Sequence, residues 1–371
     1  MSTPSEVRRS AIRVQHFRQP LFRRVVRLAA FACLPLLTAC APTDTPHSRA
    51  LASKLFARAQ VIGERGGGAG QFNKPRSVGV DAEDNIFVVD MTGRVQKFSP
   101  TGDYLLSWQM PETDKGKAKG MCSDLAGGIL LLEPHYTRVN QFAADGRLVR
   151  QWGVNGTNTG RLAFPRGIAV AGDGSTWISE YAYVERLQKF SAGGTNFLLA
   201  FGSSGTGPGQ FNRAEGIGVD AAGRLYVADS CNHRIQVFSA GGQFLRQYGR
   251  PGNHPGEMSY PYDIRVDAAG RQFVCEFGNS RIQVFDARDQ LIEVLGGSGA
   301  KPGQFNNPWA IALDSQGNLI VADSLNHRVQ KLWRRKAAPT AVLDDDRATF
   351  RRSPGQSRAV GLAAAGHFPA S

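Results

Sequence analysis

"LYVADSCNHRIQVF" at Leu225 to Phe238 and "LIVADSLNHRVQKL" at Leu319 to Leu332 are nearly the same fourteen residues, written twice 94 positions apart. Each begins on an apolar run, ends that run on an acid, and starts again at an arginine. Short apolar runs bounded by Gly, Asp and Asn read as β-strands. The same acid ends an apolar run at Asp90, Glu133, Glu180, Asp229, Glu276 and Asp323, at steps of 43, 47, 49, 47 and 47 residues. Arg94, Arg138, Arg186, Arg234, Arg281 and Arg328 follow four to six residues later. Ahead of each acid lies another apolar run with a turn, as in "SVGVDAEDN" and "IALDSQGN". Behind the arginine strand a turn leads to a fourth, as in "YLLSWQ" and "FLRQYG". No helical period occurs between 58 and 333.

Six repeats of four short strands predict an all-β, six-bladed β-propeller of antiparallel blades over 57–335. One blade has two apolar faces and buries both only by stacking between neighbours around an axis. The pattern also predicts how the ring closes. The sixth repeat stops at its third strand, "RVQKLW", whereas "RAQVIG" at 58–63 is a fourth strand with no blade before it. The N-terminal strand is therefore expected to complete the last blade, with Val61 and Ile62 beside Val329.

The units "GQFNKPRSVGVD", "GQFNRAEGIGVDAAGRLYVADSCNHRIQVF" and "GQFNNPWAIALDSQGNLIVADSLNHRVQKL" resemble NHL repeats. The resemblance is strong in blades 1, 4 and 6 and degraded in blade 2, whose "PETDKGKAKGMCSD" lacks the GQF start. It implies the propeller fold. Proteins of this type include bacterial extracytoplasmic proteins, RNA-binding regulators and peptide-amidating lyases, so the resemblance implies no single activity.

The net charge of +13 invites a nucleic-acid reading until it is located. Residues 1–39 carry seven Arg against one Glu, and the chain from Arg334 carries seven Lys/Arg against three Asp. Between 58 and 333 there are 28 basic and 26 acidic residues, so no nucleic-acid partner is expected of the ring. Arg23, Arg24 and Arg27 precede "LAAFACLPLLTA" at 28–39, which is too short to span a bilayer but suits a signal-peptide core. Leu37-Thr38-Ala39-Cys40 resembles the lipobox of bacterial lipoproteins, which implies cleavage before Cys40 and lipid on its sulfur. A plain secretory signal with an incidental cysteine is the alternative. The expected organisation is a signal peptide at 1–39, a linker at 40–56, the ring at 57–335 and a disordered tail at 336–371. Localisation would be the bacterial cell envelope, anchored to a membrane on its periplasmic or extracellular side.

Beyond Cys33 and Cys40 remain Cys122, Cys231 and Cys275, an odd number without CxxC spacing. That excludes a full disulfide framework and a cysteine zinc site, and leaves a Cys231–Cys275 bridge open.

Repetition argues that the acid and arginine pairs are clamps, since a catalytic constellation is assembled once. The pairs are Asp90 with Arg94, Glu133 with Arg138, Glu180 with Arg186, Asp229 with Arg234, Glu276 with Arg281 and Asp323 with Arg328. His233 and His327 occupy an Asn-His-Arg loop, where blades 3 and 5 are read as carrying Val184 and Asn279. Function is sought instead where repeats differ. The first strands begin with Arg76, Lys119, Arg166, Glu215, Tyr262 and Trp309, which follow Pro75, Ala118, Pro165, Ala214, Pro261 and Pro308. Three cations, one carboxylate and two aromatics around a channel mouth suit an anionic or sugar-like ligand, or a peptide. A solvated loop rim is the plainer account. Asp263 and Arg265 lie two apart on one face of the fifth innermost strand, as a channel-mouth polar site or a local ion pair.

The resemblance to amidating lyases implies zinc-binding histidines at the starts of these strands, but none is there. His135, His233, His254 and His327 fall in loops without ligand spacing. Lactonase-like propellers use Glu, Asn and Asp around calcium or zinc, for which Glu215 and Asp263 are the available carboxylates. The preferred reading is a lipid-anchored, monomeric binding module for an unknown protein, peptide or glycan, acting through the mouth without cofactor. The rival is a metal-dependent enzyme of the peptidyl-amidoglycolate lyase or gluconolactonase type, with calcium or zinc in the channel, using Glu215, Asp263 and Arg76 or Tyr262.

Overall fold

Alternating apolar strands with two faces to bury produce a ring of six blades. The structure is a computed structural model that describes residues 47–336; residues 1–46, with the expected signal peptide and Cys40, and the expected tail from 337 lie outside the described residues. The innermost strands are Pro75–Val80, Gly120–Ser123, Pro165–Val170, Ala214–Val219, Pro261–Val266 and Pro308–Leu313. Each leads outward through antiparallel strands. Blade 4, for example, runs Ala214–Val219, Leu225–Asp229, Arg234–Phe238 and Phe244–Tyr248, with Asp229 facing both Ala214 and Arg234.

The second strand of every blade is buried along its whole length. Successive side chains of a strand point to opposite faces, so each second strand feeds two gaps. In blade 1, Ile86 and Val88 face the gap to blade 6, and Phe87 and Val89 face the gap to blade 2. The described residues hold six such cores, one in each gap. Phe72, Phe211 and Phe305, from the GQF segments, plug the gaps to the preceding blades. Leu162 and Met258 do this for blades 3 and 5. Blade 2 lacks the segment, and Met110 fills the gap between blades 1 and 2.

Phe56–Ile62 pairs antiparallel with Arg328–Arg334, with Val61 opposite Gln330 and Ile62 opposite Val329. The N-terminal strand thus completes blade 6 and closes the ring. Ser48–Ala50 adds a fifth strand outside it. The Ser53 hydroxyl and the Lys54 and Leu55 amides donate to Glu293 of blade 5, at 2.8–3.2 Å. Within the stretch expected as a linker over 40–56, the chain from Ser48 onward is docked on the ring. Its polar backbone there finds partners that a free tether would take from water. Cys122, Cys231 and Cys275 are all free, so the Cys231–Cys275 bridge left open by spacing is not formed.

Candidate functional site

The repeated acids and arginines sit at the rim and hold incoming loops. The separations are 2.6 Å for Glu133–Arg138 and Glu180–Arg186, 2.8 Å for Asp229–Arg234 and 2.7 Å for Glu276–Arg281 and Asp323–Arg328. Asp90 and Arg94 are looser at 3.8 Å. In blade 4, Arg234 also donates to the carbonyls of Thr206, Gly207 and Gln210. A third partner was missed in the sequence: Gln236, fully buried, bridges Asp229 and the Gln210 carbonyl. Gln188, Gln283 and Gln330 repeat this, and Asn140 serves Glu133. The signal was visible as the Gln inside "RLQKF" and "RIQVF". Each of these carboxylates accepts from protein donors, with Glu133 Oε1 the one oxygen among them that lacks a partner among the described residues, and the repeated arrangement reads as scaffold.

The asymmetric residues meet at the axis. Each innermost strand except that of blade 2 starts with a register shift, between Pro75 and Ser77, Pro165 and Ile168, Ala214 and Ile217, Pro261 and Asp263, and Pro308 and Ile311. Bulges re-aim side chains, and the residues inside these are Arg76, Arg166, Glu215, Tyr262 and Trp309. Lys119, Arg166, Glu215, Tyr262, Asp263, Arg265 and Trp309 line one cavity. Arg76 joins them by stacking its guanidinium 4.2 Å from the Trp309 ring centroid. All eight expected residues are therefore brought together.

The mouth is not the open, solvated rim that the sequence left as an alternative. Arg76, Arg166, Glu215, Tyr262 and Asp263 are all buried, and the cavity is about 30 Å³. Glu215 accepts from Arg166 Nε on one oxygen and from Arg213 Nε at 2.6 Å on the other. Arg213 Nη2 also donates to the Tyr262 hydroxyl at 3.2 Å. Tyr262 stacks on Phe277, centroids 4.4 Å apart, with Trp309 at 5.6 Å. Tyr181 lies 5.5 Å from both the Arg166 and Arg213 guanidinium carbons.

Four cations, Arg76, Lys119, Arg166 and Arg213, thus surround one carboxylate. Two of them show the strain. Burial, then repulsion from Arg166, brings the Arg76 guanidinium down to about 10. Burial, then Arg166 and Arg76, brings the Lys119 ammonium down to about 7. Nη1 and Nη2 of Arg166 and Nε of Arg76 have no hydrogen-bond partner among the described residues.

Below this cluster, Arg265 crosses the axis. Its Nη1 donates to Asp263 at 2.6 Å and to the Ile217 carbonyl of blade 4 at 3.0 Å. The other Asp263 oxygen accepts the Ile311 amide of blade 6 at 2.9 Å. Burial raises the Asp263 carboxyl, and Arg265 opposes that shift. Gly216 allows this approach: a Cβ there would collide with Asp263 itself. Arg265 also borders a second, more apolar cavity of about 280 Å³ toward the opposite end of the channel, with Met121, Ile168 and Ile217.

Neither mouth carboxylate fits a divalent metal. Glu215 is held by two guanidiniums, Asp263 by one guanidinium and two backbone amides, and a cation-rich surround repels a further cation. No group of three or more His, Cys, Asp or Glu is placed to hold a metal among the described residues. Sequence reading missed Arg213, Tyr181 and Phe277. Arg213 carried a signal, being the cation two residues before Glu215, but the two aromatics lie in the loops after the second strands.

The family model for the NHL repeat matches residues 211–238 and 305–332. The chain is 30% identical over 183 residues to NHL repeat-containing protein 3 of Mus musculus, covering 43% of this chain and 50% of that protein. It therefore spans half the length of that curated relative. A solved gluconolactonase from Xanthomonas campestris superposes with a TM-score of 0.56 at 15% identity, over 75% of this chain and 90% of that one. A solved streptogramin B lyase superposes with a TM-score of 0.55 at 14% identity, over 76% and 98%. At such identity these likenesses speak for the fold alone.

Proposed function

We propose that this chain, a six-bladed β-propeller carrying NHL repeats, is a binding module that seats the anionic head group of a ligand in its channel mouth. The observation that carries the reading is Arg166. Its residue is 3% exposed, yet both terminal nitrogens of its guanidinium lack a partner among the described residues. A buried cation with idle donors is costly, and an anion that accepts from both relieves that cost. Arg76 and Lys119 add positive charge, which Glu215 does not balance.

Size supports a head group over a whole ligand. About 30 Å³ is room for two or so waters, enough for carboxylate or phosphate oxygens but not for a sugar ring or a peptide residue. The body of the ligand would rest outside, against the aromatic rim that includes Tyr181 and Phe277. The lipobox-like Leu37 to Cys40 supports an extracytoplasmic, lipid-anchored setting, in which anionic glycans and peptides of the envelope are the natural candidates. Neighbours named as a lyase and a gluconolactonase raise an enzymatic alternative, but metal chemistry finds no free carboxylate in this mouth.

The test is titration of the full chain with acetate and, separately, with inorganic phosphate, followed by tryptophan fluorescence, since Trp309 lies beneath Arg76. Arg166→Gln is expected to weaken binding by roughly ten- to a hundredfold, the worth of one charge-assisted hydrogen bond. The reading fails if the wild-type protein responds to neither anion. Intact-mass measurement of lipid on Cys40 tests the anchor separately.

A further inference from the structure

Lys119 differs from the arginines around it because its nitrogen, once neutral, is a nucleophile. It lines the same cavity as Arg166, Tyr262 and Trp309. Its Nζ lies 5.8 Å from the Phe164 ring centroid and forms no ion pair among the described residues. Both oxygens of Glu215 are already taken by Arg166 and Arg213, so no carboxylate is free to hold the ammonium form. The charged groups facing it are Arg166, Arg76 and Arg213, opposed by Glu215, with His135 close enough to be lowered by the Lys119 charge.

We infer that Lys119 forms an imine with a small 2-oxo acid whose carboxylate is held by the idle nitrogens of Arg166. The inference rests on the head-group reading above and names the class of head group. A carboxylate with a carbonyl on the adjacent carbon is the smallest ligand that uses both features, its carboxylate oxygens taking the space of about 30 Å³. The Nζ lone pair forms a C–N bond at the carbonyl carbon while the C=O pair moves onto oxygen. Both amine hydrogens then leave with that oxygen as water, and the nitrogen is left doubly bonded to carbon. No oxidant, metal or cofactor enters the balance. Burial, then Arg166 and Arg76, brings the Lys119 ammonium down to about 7, so the uncharged amine is within reach near neutral pH, whereas an exposed lysine is almost wholly protonated. The neighbouring cations that disfavour the ammonium also favour the bound carboxylate.

The experiment is to incubate the full chain with glyoxylate at pH 7.5, add cyanoborohydride, and map the reduced adduct by peptide mass spectrometry. Labelling at Lys119 is expected to exceed that at exposed lysines by about a hundredfold, and to vanish in Lys119→Arg checked for an unchanged melting profile. Acetate titration of the wild type is run beside it. Acetate binding without a Lys119 adduct overturns the imine and leaves the anion site standing. Failure of both overturns the two together. Labelling spread evenly over surface lysines also overturns the imine.

Discussion

The Nδ1 of His327, in the last blade, accepts the backbone N–H of Lys74, in the first, at 3.2 Å. His233 does the same for Tyr260 at 3.2 Å, Glu185 Oε2 for Arg213 at 3.0 Å and Ser280 Oγ for Asn307 at 3.1 Å. The positions equivalent to the histidines are thus Glu185 and Ser280, one residue later than Val184 and Asn279. The residues served have φ of 52°, 48°, 64° and 47°, left-handed values outside the strand ladder, so each N–H needs an acceptor from elsewhere. Histidine in the repeated loop is a stitch between blades.

His327→Ala should therefore cost about 1 kcal/mol of stability, the usual net worth of one hydrogen bond, with His233→Ala similar. Urea unfolding measures it. Two variants as stable as wild type would end the stitch.

Asp229→Ala leaves the Arg234 guanidinium buried beside Gln236 without its anion, and should destabilise by about 3–5 kcal/mol. Asp229→Ala with Arg234→Met should recover part of that loss. If the single variant melts with wild type, the acid and arginine pair is no clamp.

Arg265→Ala strands the Asp263 carboxylate and should cost about 3–5 kcal/mol, whereas Asp263→Ala with Arg265→Ala should fall much closer to wild type. Blade 4 already carries Gly216 and Gly218 at these two positions. A double variant as damaged as the single one would show that the pair does more than fill the axis.

Arg166→Gln should leave ligand-free stability unchanged or raise it while weakening the anion response by roughly ten- to a hundredfold. Glu215 keeps Arg213, and a cation with unmet donors is gone. Calorimetry with and without acetate distinguishes this from a folding defect, which would lower both.

Lys119 sets a pH dependence whose sign follows from its lowered proton affinity. The folded protein gives up this proton near pH 7 and the unfolded chain near 10.5, so between them the unfolded state binds more protons. Ligand-free stability gains from this residue as pH rises through that window, and Lys119→Met should flatten the gain. Anion affinity runs the other way, weakening as pH rises above about 7 and the ammonium is lost. Affinity independent of pH from 6 to 9 would remove Lys119 from the site.

Much of this was legible in the chain. The spacing of acids and apolar runs is local and recurs, so blade number, strand order and the clasp of Ile62 on Val329 followed from counting. Six of the mouth residues were legible too, because they break a repeat at one register, and Asp263 and Arg265 lie one and three positions further along the fifth innermost strand. Arg213 escaped because its position varies through Lys74, Phe164, Tyr260 and Asn307, and so reads as loop. Tyr181 and Phe277 escaped for the same reason.

What the sequence alone determined is the ring, since each blade must bury both faces and only closure does so for all six. Whether the mouth was open or filled, and which cation went without a partner, was decided by tertiary structure. Arg166 and Glu215 are 49 positions apart and meet only because six innermost strands crowd one axis. Charge pairing there depends on distances across blades, and no spacing within a repeat encodes them.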